Sequence, residues 1–310
     1  MSSVKVDYAL NRPANCPENF SKEFLRLEDL FPIEALSEPS AQEDLLQTCR
    51  QSIDDFQVVA ERIVQDVQSF GVSMLRGVPA ASDIAVIALS ATLGVVTKEG
   101  NGFPGQLAYD VRPRPDGVSI SQTREEFPLH TDSATMRVPN EYVGLACCKI
   151  DSDAGGASIL VEIDTVVAKL SDRDSLQAED GLLRDLQEPY PWRVPDFHPD
   201  APIMWASLLN SNGETYGARY RKEALEAGLA VQAVSDSKLK ALHVFESTMQ
   251  SRNLWSLFQL DVGDMILFDN RRLLHGRTAI RSGAGRWLKR TKIHLMAQIE
   301  QCDLFRRGLH

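Results

Sequence analysis

Three strand-length apolar runs crowd together near the end of the chain: "VGDMILFDN" (262–270), "RLLHGRTAI" (272–280) and "RWLKRTKIHLMAQI" (286–299). Only turns separate them. Gly263-Asp264 makes a tight turn, and Asp269-Asn270 ends a strand. Four earlier runs also read as strands: "GVSMLRGV" at 71–78, "GVSISQ" at 117–122, "EYVGLACCKI" at 141–150 and "GASILVEI" at 156–163. Helical spacing governs residues 41–70, which Gly71 stops, and "SDIAVIALSATLG" at 82–94, with Ser82 or Asp83 as N-cap. Further helices are expected over 165–188 and 235–260, with an irregular, proline-bearing stretch at 190–220. Helices early and strands mostly late predict an α+β chain in which helices flank a sheet core. No repeat and no linker divides it, so one domain over 1–310 is expected. Its first 40 residues form an irregular arm on the surface, and about 164–260 is a helical and loop insert between core strands.

Charge and cysteine usage narrow the partners. A formal net charge of −10 argues against nucleic acid or an acidic membrane surface as partner, because both call for a basic face. The cluster Arg286, Lys289, Arg290 and Lys292 is a local exception and a candidate anion pocket. Five cysteines (Cys16, Cys49, Cys147, Cys148 and Cys302) with no C-x-x-C spacing are expected to be reduced, which points to a cytoplasmic protein. The N-terminus carries no apolar signal region, and no window reaches the roughly 18 apolar residues of a membrane span.

The chemistry concentrates in "FPLHTDSATM" at 127–136, where His130 and Asp132 stand two apart. Six histidines and 43 acids in 310 residues give about one such His-x-acid pair by chance, so the tripeptide alone is weak. On an extended backbone, residues two apart point to one side. His275, at the start of a strand-like run, is the candidate third ligand. Two imidazoles and one carboxylate on one face of a metal leave open positions, the arrangement of non-haem Fe(II) oxygenases. The absence of thiolate disfavours a closed structural zinc site. Arg286 and Arg290 share a face of the last strand, about 13 Å apart, and so suit two separate anionic groups. A cationic edge strand is the alternative for this segment.

His-x-Asp at 130–132, "GGAS" at 155–158, "HGRTAI" and "GRWLKR" in this order, with "GVSMLRG" upstream, resemble the iron- and 2-oxoglutarate-dependent dioxygenases of the taurine dioxygenase group over about 70–297. The resemblance implies a double-stranded β-helix (jelly-roll) core and Fe(II) held by His130, Asp132 and His275. It also implies 2-oxoglutarate and O2 as co-substrates. Arg286 matches the arginine that meets the far carboxylate of 2-oxoglutarate. Ser158 matches a hydroxyl residue, usually threonine, on the same molecule. Arg290 matches a second arginine, nearer the iron-side carboxylate or the prime substrate. The implied activity is hydroxylation of an unactivated C–H, with release of succinate and CO2. Asp132 stands where related halogenases carry a small residue, which disfavours halogenation and leaves desaturation and ring closure open.

The prime substrate is expected to be a small polar, amino-acid-derived molecule. Asn101, Gln106, Gln122 and Glu126 are candidate contacts at the mouth of the site, and Arg219 and Arg221 are candidates for a substrate carboxylate. His294 shares strand parity with Arg286 and Arg290 and is expected to border the pocket. His198, His243 and His310 are expected to be structural or solvated. Two other readings stay open. One is a jelly-roll protein that binds metal or anion without catalysis. The other is a zinc hydrolase, which requires a general base such as Glu125 or Glu126. The oligomeric state is left open by the sequence, with a homo-oligomer as one candidate.

Overall fold

The structure is a computed structural model that describes residues 4–98, 105–117, 119–151, 153, 155–177, 181–193, 202–281, 285–297 and 299. Helix α1 (Val4–Leu10), the short strand β1 (Ala14–Asn15) and α2 (Phe20–Glu28) occupy the first 40 residues. This corrects the expected irregular arm. Phe20, Phe24 and Leu27 recur at helical spacing and are all fully or nearly fully buried. The predicted helix over 41–70 is two helices, α3 (Pro39–Ser52) and α4 (Phe56–Phe70), parted at Asp55, whose φ of 61° breaks the helical path. Gly71 ends α4 in the left-handed conformation (φ 78°), and its N–H closes on Val67 O. Strand β2 (Val72–Arg76) follows directly, then α5 (Asp83–Ala91), whose N-cap Ser82 accepts from Ala85 N. Strands β3 (Val95–Thr97) and β4 (Tyr109–Val111) complete the N-terminal part.

Within "GVSISQ", Ile120–Gln122 form a single 3-10 turn in place of the expected strand. After it come β5 (Phe127–His130), β6 (Tyr142–Lys149) and β7 (Ser158–Glu162), then α6 (Ile163–Gln177) and α7 (Leu182–Gln187). The stretch expected to be irregular contains two small hairpins. One pairs β8 (Pro189–Trp192) with β9 (Met204–Ser207), the other β10 (Leu209–Ser211) with β11 (Tyr216–Ala218). Helices α8 (Lys222–Leu229) and α9 (Asp236–Met249) follow. The second helix stops short of the expected 260, because Ser256–Phe258 form β12 against β7. Strands β13 (Met265–Asp269), β14 (Leu273–Arg277) and β15 (Trp287–His294) lie close to where the sequence put them.

These strands build two principal sheets, in a mixed α+β arrangement. Seven strands run β1-β2-β13-β6-β15-β3, with β4 also on β15; four run β12-β7-β14-β5. Val143, Ile266, Phe268 and Leu288 of the larger sheet meet Leu160 and Leu273 of the smaller one in a shared apolar cluster. Helices α2 to α5 pack on the outer face of the large sheet through Phe56, Ile63 and Ile87, and α6 to α9 cover the small one through Val166 and Phe245. Strand β13 is buried at every residue because layers lie on both sides of it. Strand β15 lies inside its sheet, between β6 and the pair β3 and β4, so it is no edge strand. No described helix is long and apolar enough to cross a membrane.

Candidate metal centre

His130 closes β5, and His275 lies directly opposite it in the β14 register, which brings the two ring centroids to 4.1 Å. Asp132 follows two residues later, just before Ser133 turns the chain at φ 57°. Its Oδ1 stands 3.6 Å from His130 Nε2 and 4.0 Å from His275 Nε2. The three side chains are buried and offer ligand atoms within 4.8 Å of one another.

The surroundings fix the protonation of this cluster. His130 Nδ1 donates to Pro128 O at 2.9 Å, which assigns the proton to that nitrogen and leaves the Nε2 lone pair facing Asp132. Burial lowers the His130 pKa, and burial followed by the neighbouring His130 ring holds His275 well below the usual imidazole range. For Asp132 burial works in the opposite sense. Arg290 and then Lys292 overcome it, and the carboxyl stays well below its ordinary value. Two neutral imidazoles beside a carboxylate are the state a divalent cation needs. His130 Nε2, Asp132 Oδ2 and His275 Nδ1 are buried without a hydrogen-bond partner. Orphaned polar atoms of this kind are costly in an apolar interior, and the N, N, O donor set suits iron better than a structural zinc.

Backbone contacts hold the ligands in place. Asn270 Oδ1 accepts from Asp132 N at 2.7 Å, and its Nδ2 donates to Asp132 O at 3.1 Å and Asn140 O at 2.9 Å. Thr131 N donates to Tyr220 O at 2.8 Å, and Tyr220 N donates back to Thr131 Oγ1 at 3.0 Å. Tyr220 is itself tied to α9 by a 2.7 Å bond to Glu246. Phe127 stacks on the His130 ring at 4.0 Å, and Phe268 meets His275 edge-on at 4.9 Å.

A cavity of about 520 Å³, measured to its open mouth, lies between the two sheets beside the histidines. Leu145, Ile266 and Leu288 give it apolar walls, and Ser158, Arg277, Arg286 and Arg290 give it polar ones. Arg286 Nη2 donates to Ser158 Oγ at 2.7 Å, so the two residues singled out in the sequence for one anion do meet. Burial lowers the Arg286 pKa to about 10. Arg290 reaches Asp132 Oδ1 at 3.3 Å and lies over the Tyr109 ring at 5.6 Å.

Other expected contacts fall elsewhere. Gln122 is buried and donates to Tyr109 Oη at 2.8 Å, so it supports the ring under Arg290. Gln106 and Glu126 are exposed, as is Glu125, and none of the three lines the cavity. Arg219 is occupied: its guanidinium donates to the carbonyls of Ala134 (3.0 Å), Met136 (2.6 Å) and Arg137 (3.3 Å), clasping the segment after Asp132. Arg221 instead lies over Phe127 at 5.5 Å. His294 stands 3.8 Å from Glu141, away from the cavity. Lys289 is buried and paired with Asp83 at 2.5 Å and Asp110 at 3.6 Å. His243 is exposed on α9. Asn101, His198, His310 and Cys302 lie outside the described residues. Asn270, Tyr109, Tyr220 and Arg277 escaped the sequence reading; an Asn closing the strand before the third ligand was the nearest signal.

Residues 50–292 match the family described as Taurine catabolism dioxygenase TauD, TfdA family. The gamma-butyrobetaine dioxygenase of Pseudomonas sp. (strain AK-1) is 29% identical over 225 residues, 71% of this chain and 55% of that protein. The chain thus spans about half the length of the curated relatives it matches. The fold is shared with a solved structure of the non-heme iron oxygenase OrfP in complex with Fe and alpha-ketoglutaric acid. Its TM-score is 0.70 at 19% identity, covering 91% of this chain and 94% of that one. It is also shared with asparagine oxygenase in complex with Fe(II), 2S,3S-3-hydroxyasparagine and succinate, at TM-score 0.68 and 18% identity, covering 91% and 93%.

Proposed function

The chain belongs to the taurine catabolism dioxygenase TauD, TfdA family, and from that premise we propose that it is an Fe(II)- and 2-oxoglutarate-dependent dioxygenase hydroxylating a small, amino-acid-derived metabolite. In this reading residues 1–310 form one cytoplasmic domain, and the two facing sheets are its double-stranded β-helix. The observation that carries it is the buried donor set of His130, Asp132 and His275, each with one polar atom left without a partner, beside a cavity that ends in Ser158 and Arg286.

His130, Asp132 and His275 would hold Fe(II), and Ser158 with Arg286 would hold the far carboxylate of 2-oxoglutarate. Bound iron and 2-oxoglutarate supply O2 activation, with succinate and CO2 released and an oxidant strong enough to break a C–H bond. The chain's own residues bind, orient and shield. Arg286 meets a carboxylate with two parallel hydrogen bonds from a fixed fork. Arg290, braced by Tyr109 and Gln122, keeps Asp132 ionised and adds positive charge beside the metal. The walls from Leu145, Ile266 and Leu288 keep water from the reacting carbon. Arg221, rather than Arg219, is the arginine able to meet an acidic group of the substrate. Its one described ion pair, to Glu223 at 3.4 Å, is partly solvent-exposed and easily exchanged. The relatives named for gamma-butyrobetaine and asparagine support an amino-acid-derived substrate.

Anaerobic addition of Fe(II) and 2-oxoglutarate to the apo-protein tests the reading. A visible charge-transfer band that needs both additions, and is absent from His275→Ala, is the expected result. No band, with both components shown to be free in solution, would refute it and leave a non-catalytic binding protein.

A further inference from the structure

Arg277 is a buried cation that the proposed activity does not use. It is 5% exposed and shares strand parity with His275 on β14, so both side chains project from the same face of the sheet into the same cavity. Its partner in the β7 register is Ser158, the residue that accepts from Arg286 at 2.7 Å. One edge of the Arg277 guanidinium is fixed: Nη2 donates to Thr123 O at 3.1 Å and Glu125 O at 2.6 Å. Nε is buried and has no partner.

The charges around it do not balance. Arg277 and Arg286 line the same cavity, and each is a like charge beside the other. No acid lines this end of the cavity among the described residues. Two buried cations brought together without a counter-charge are unfavourable until an anion arrives between them. A guanidinium anchored at Nη2 keeps its Nε–H as an unspent donor, already oriented, so little rotamer freedom is lost when it binds.

We propose that Arg277 is a second binding residue for the distal carboxylate of 2-oxoglutarate, acting beside Arg286 and Ser158 and linking that carboxylate to segment 123–125, which leads into β5. The inference rests on the reading of this cavity as a 2-oxoglutarate site. A role confined to stapling segment 123–125 predicts something different, because a staple does not distinguish one occupant of the cavity from another.

The test compares two ligands on the full-length, Mn(II)-loaded protein by isothermal titration calorimetry. One is 2-oxoglutarate; the other is 2-oxopentanoate, the same chain with a methyl group in place of the distal carboxylate. Arg277→Met is expected to weaken 2-oxoglutarate at least about tenfold, as loss of a charge-assisted hydrogen bond does, and to leave 2-oxopentanoate within about twofold. Arg277→Lys keeps the charge without the fork and is expected to lose less, again for 2-oxoglutarate only. It carries the comparison alone if the methionine variant does not fold. Equal weakening of both ligands, or of neither, overturns the inference. A wild-type protein that loads metal but does not bind 2-oxoglutarate overturns the underlying reading as well, and shows itself as missing binding rather than an unchanged ratio.

Discussion

Replacing Asn270 with Ala should loosen the metal site without touching a ligand. Asn270 is 1% exposed and its side chain makes three hydrogen bonds, accepting from Asp132 N and donating to Asp132 O and Asn140 O. Alanine leaves the Asp132 N–H buried and unpaired, at about 1–3 kcal/mol, and strips one donor from each of two carbonyls, at about 0.5–1.5 kcal/mol apiece. The sum is about 4 kcal/mol. At about 2–4 °C per kcal/mol for domains of 150–250 residues, the melting temperature should fall by roughly 8–16 °C. The same change releases the backbone that aims the Asp132 carboxylate, and loss of such outer support weakens metal binding about 10–100-fold. The assay is Fe(II) or Zn(II) competition against a chelator, run beside thermal denaturation at fixed protein concentration. A residue that merely stabilised the fold would lower the melting temperature and leave metal affinity untouched. Metal affinity within twofold of wild type in a folded Asn270→Ala protein would refute the positioning argument.

Three further outcomes are expected. Ser158→Ala removes the hydroxyl that meets Arg286 and should weaken 2-oxoglutarate about tenfold with little change in melting temperature, measured by calorimetric titration. Arg219→Ala should cost about 2–3 kcal/mol in urea unfolding, since three carbonyls lose a charged donor, while 2-oxoglutarate affinity stays near wild type. Burial, and secondarily Lys292, lowers His294 to about 4 from its ordinary 6.5. The unfolded chain therefore takes up the proton first. Stability that is intact above about pH 6.5 falls as pH drops toward 4, by about 2 kcal/mol between pH 6.5 and 5. His294→Gln should flatten that limb in denaturant titrations at the two pH values, and an unchanged slope would exclude His294 as its source.

The sequence by itself determined the elements whose reasons are local. Gly71 stops α4 because the chain there needs a left-handed residue, and Ser82 caps α5 because a hydroxyl before an apolar helix satisfies a free N–H. Residues two apart on an extended chain put His130 and Asp132 on one side. The order of His-x-Asp, the distant His275 and Arg286 carried the chemistry. The reading failed where burial overrode composition. Polar, proline-bearing stretches at 1–40 and 190–220 hold helices and hairpins because a few apolar residues, Phe20, Phe24, Tyr190 and Trp192 among them, find a core to enter. "GVSISQ" alternates like a strand but has no described strand partner, and remains a turn.

Only the tertiary structure decided which polar groups are available for chemistry. Arg219 and Arg221 are equivalent in sequence, two residues apart on one loop. Carbonyls after Asp132 occupy the first, and the second lies over Phe127 beside His130. Gln122 and Tyr109, thirteen residues apart, become one brace under Arg290. Asn270 holds Asp132 across 138 residues, and Arg277 meets segment 123–125 across more than 150. The physical reason is common to all four. Hydrogen-bond capacity and charge belong to a residue type and can be read from the chain, whereas whether that capacity is already spent depends on neighbours that strand register and sheet packing bring together.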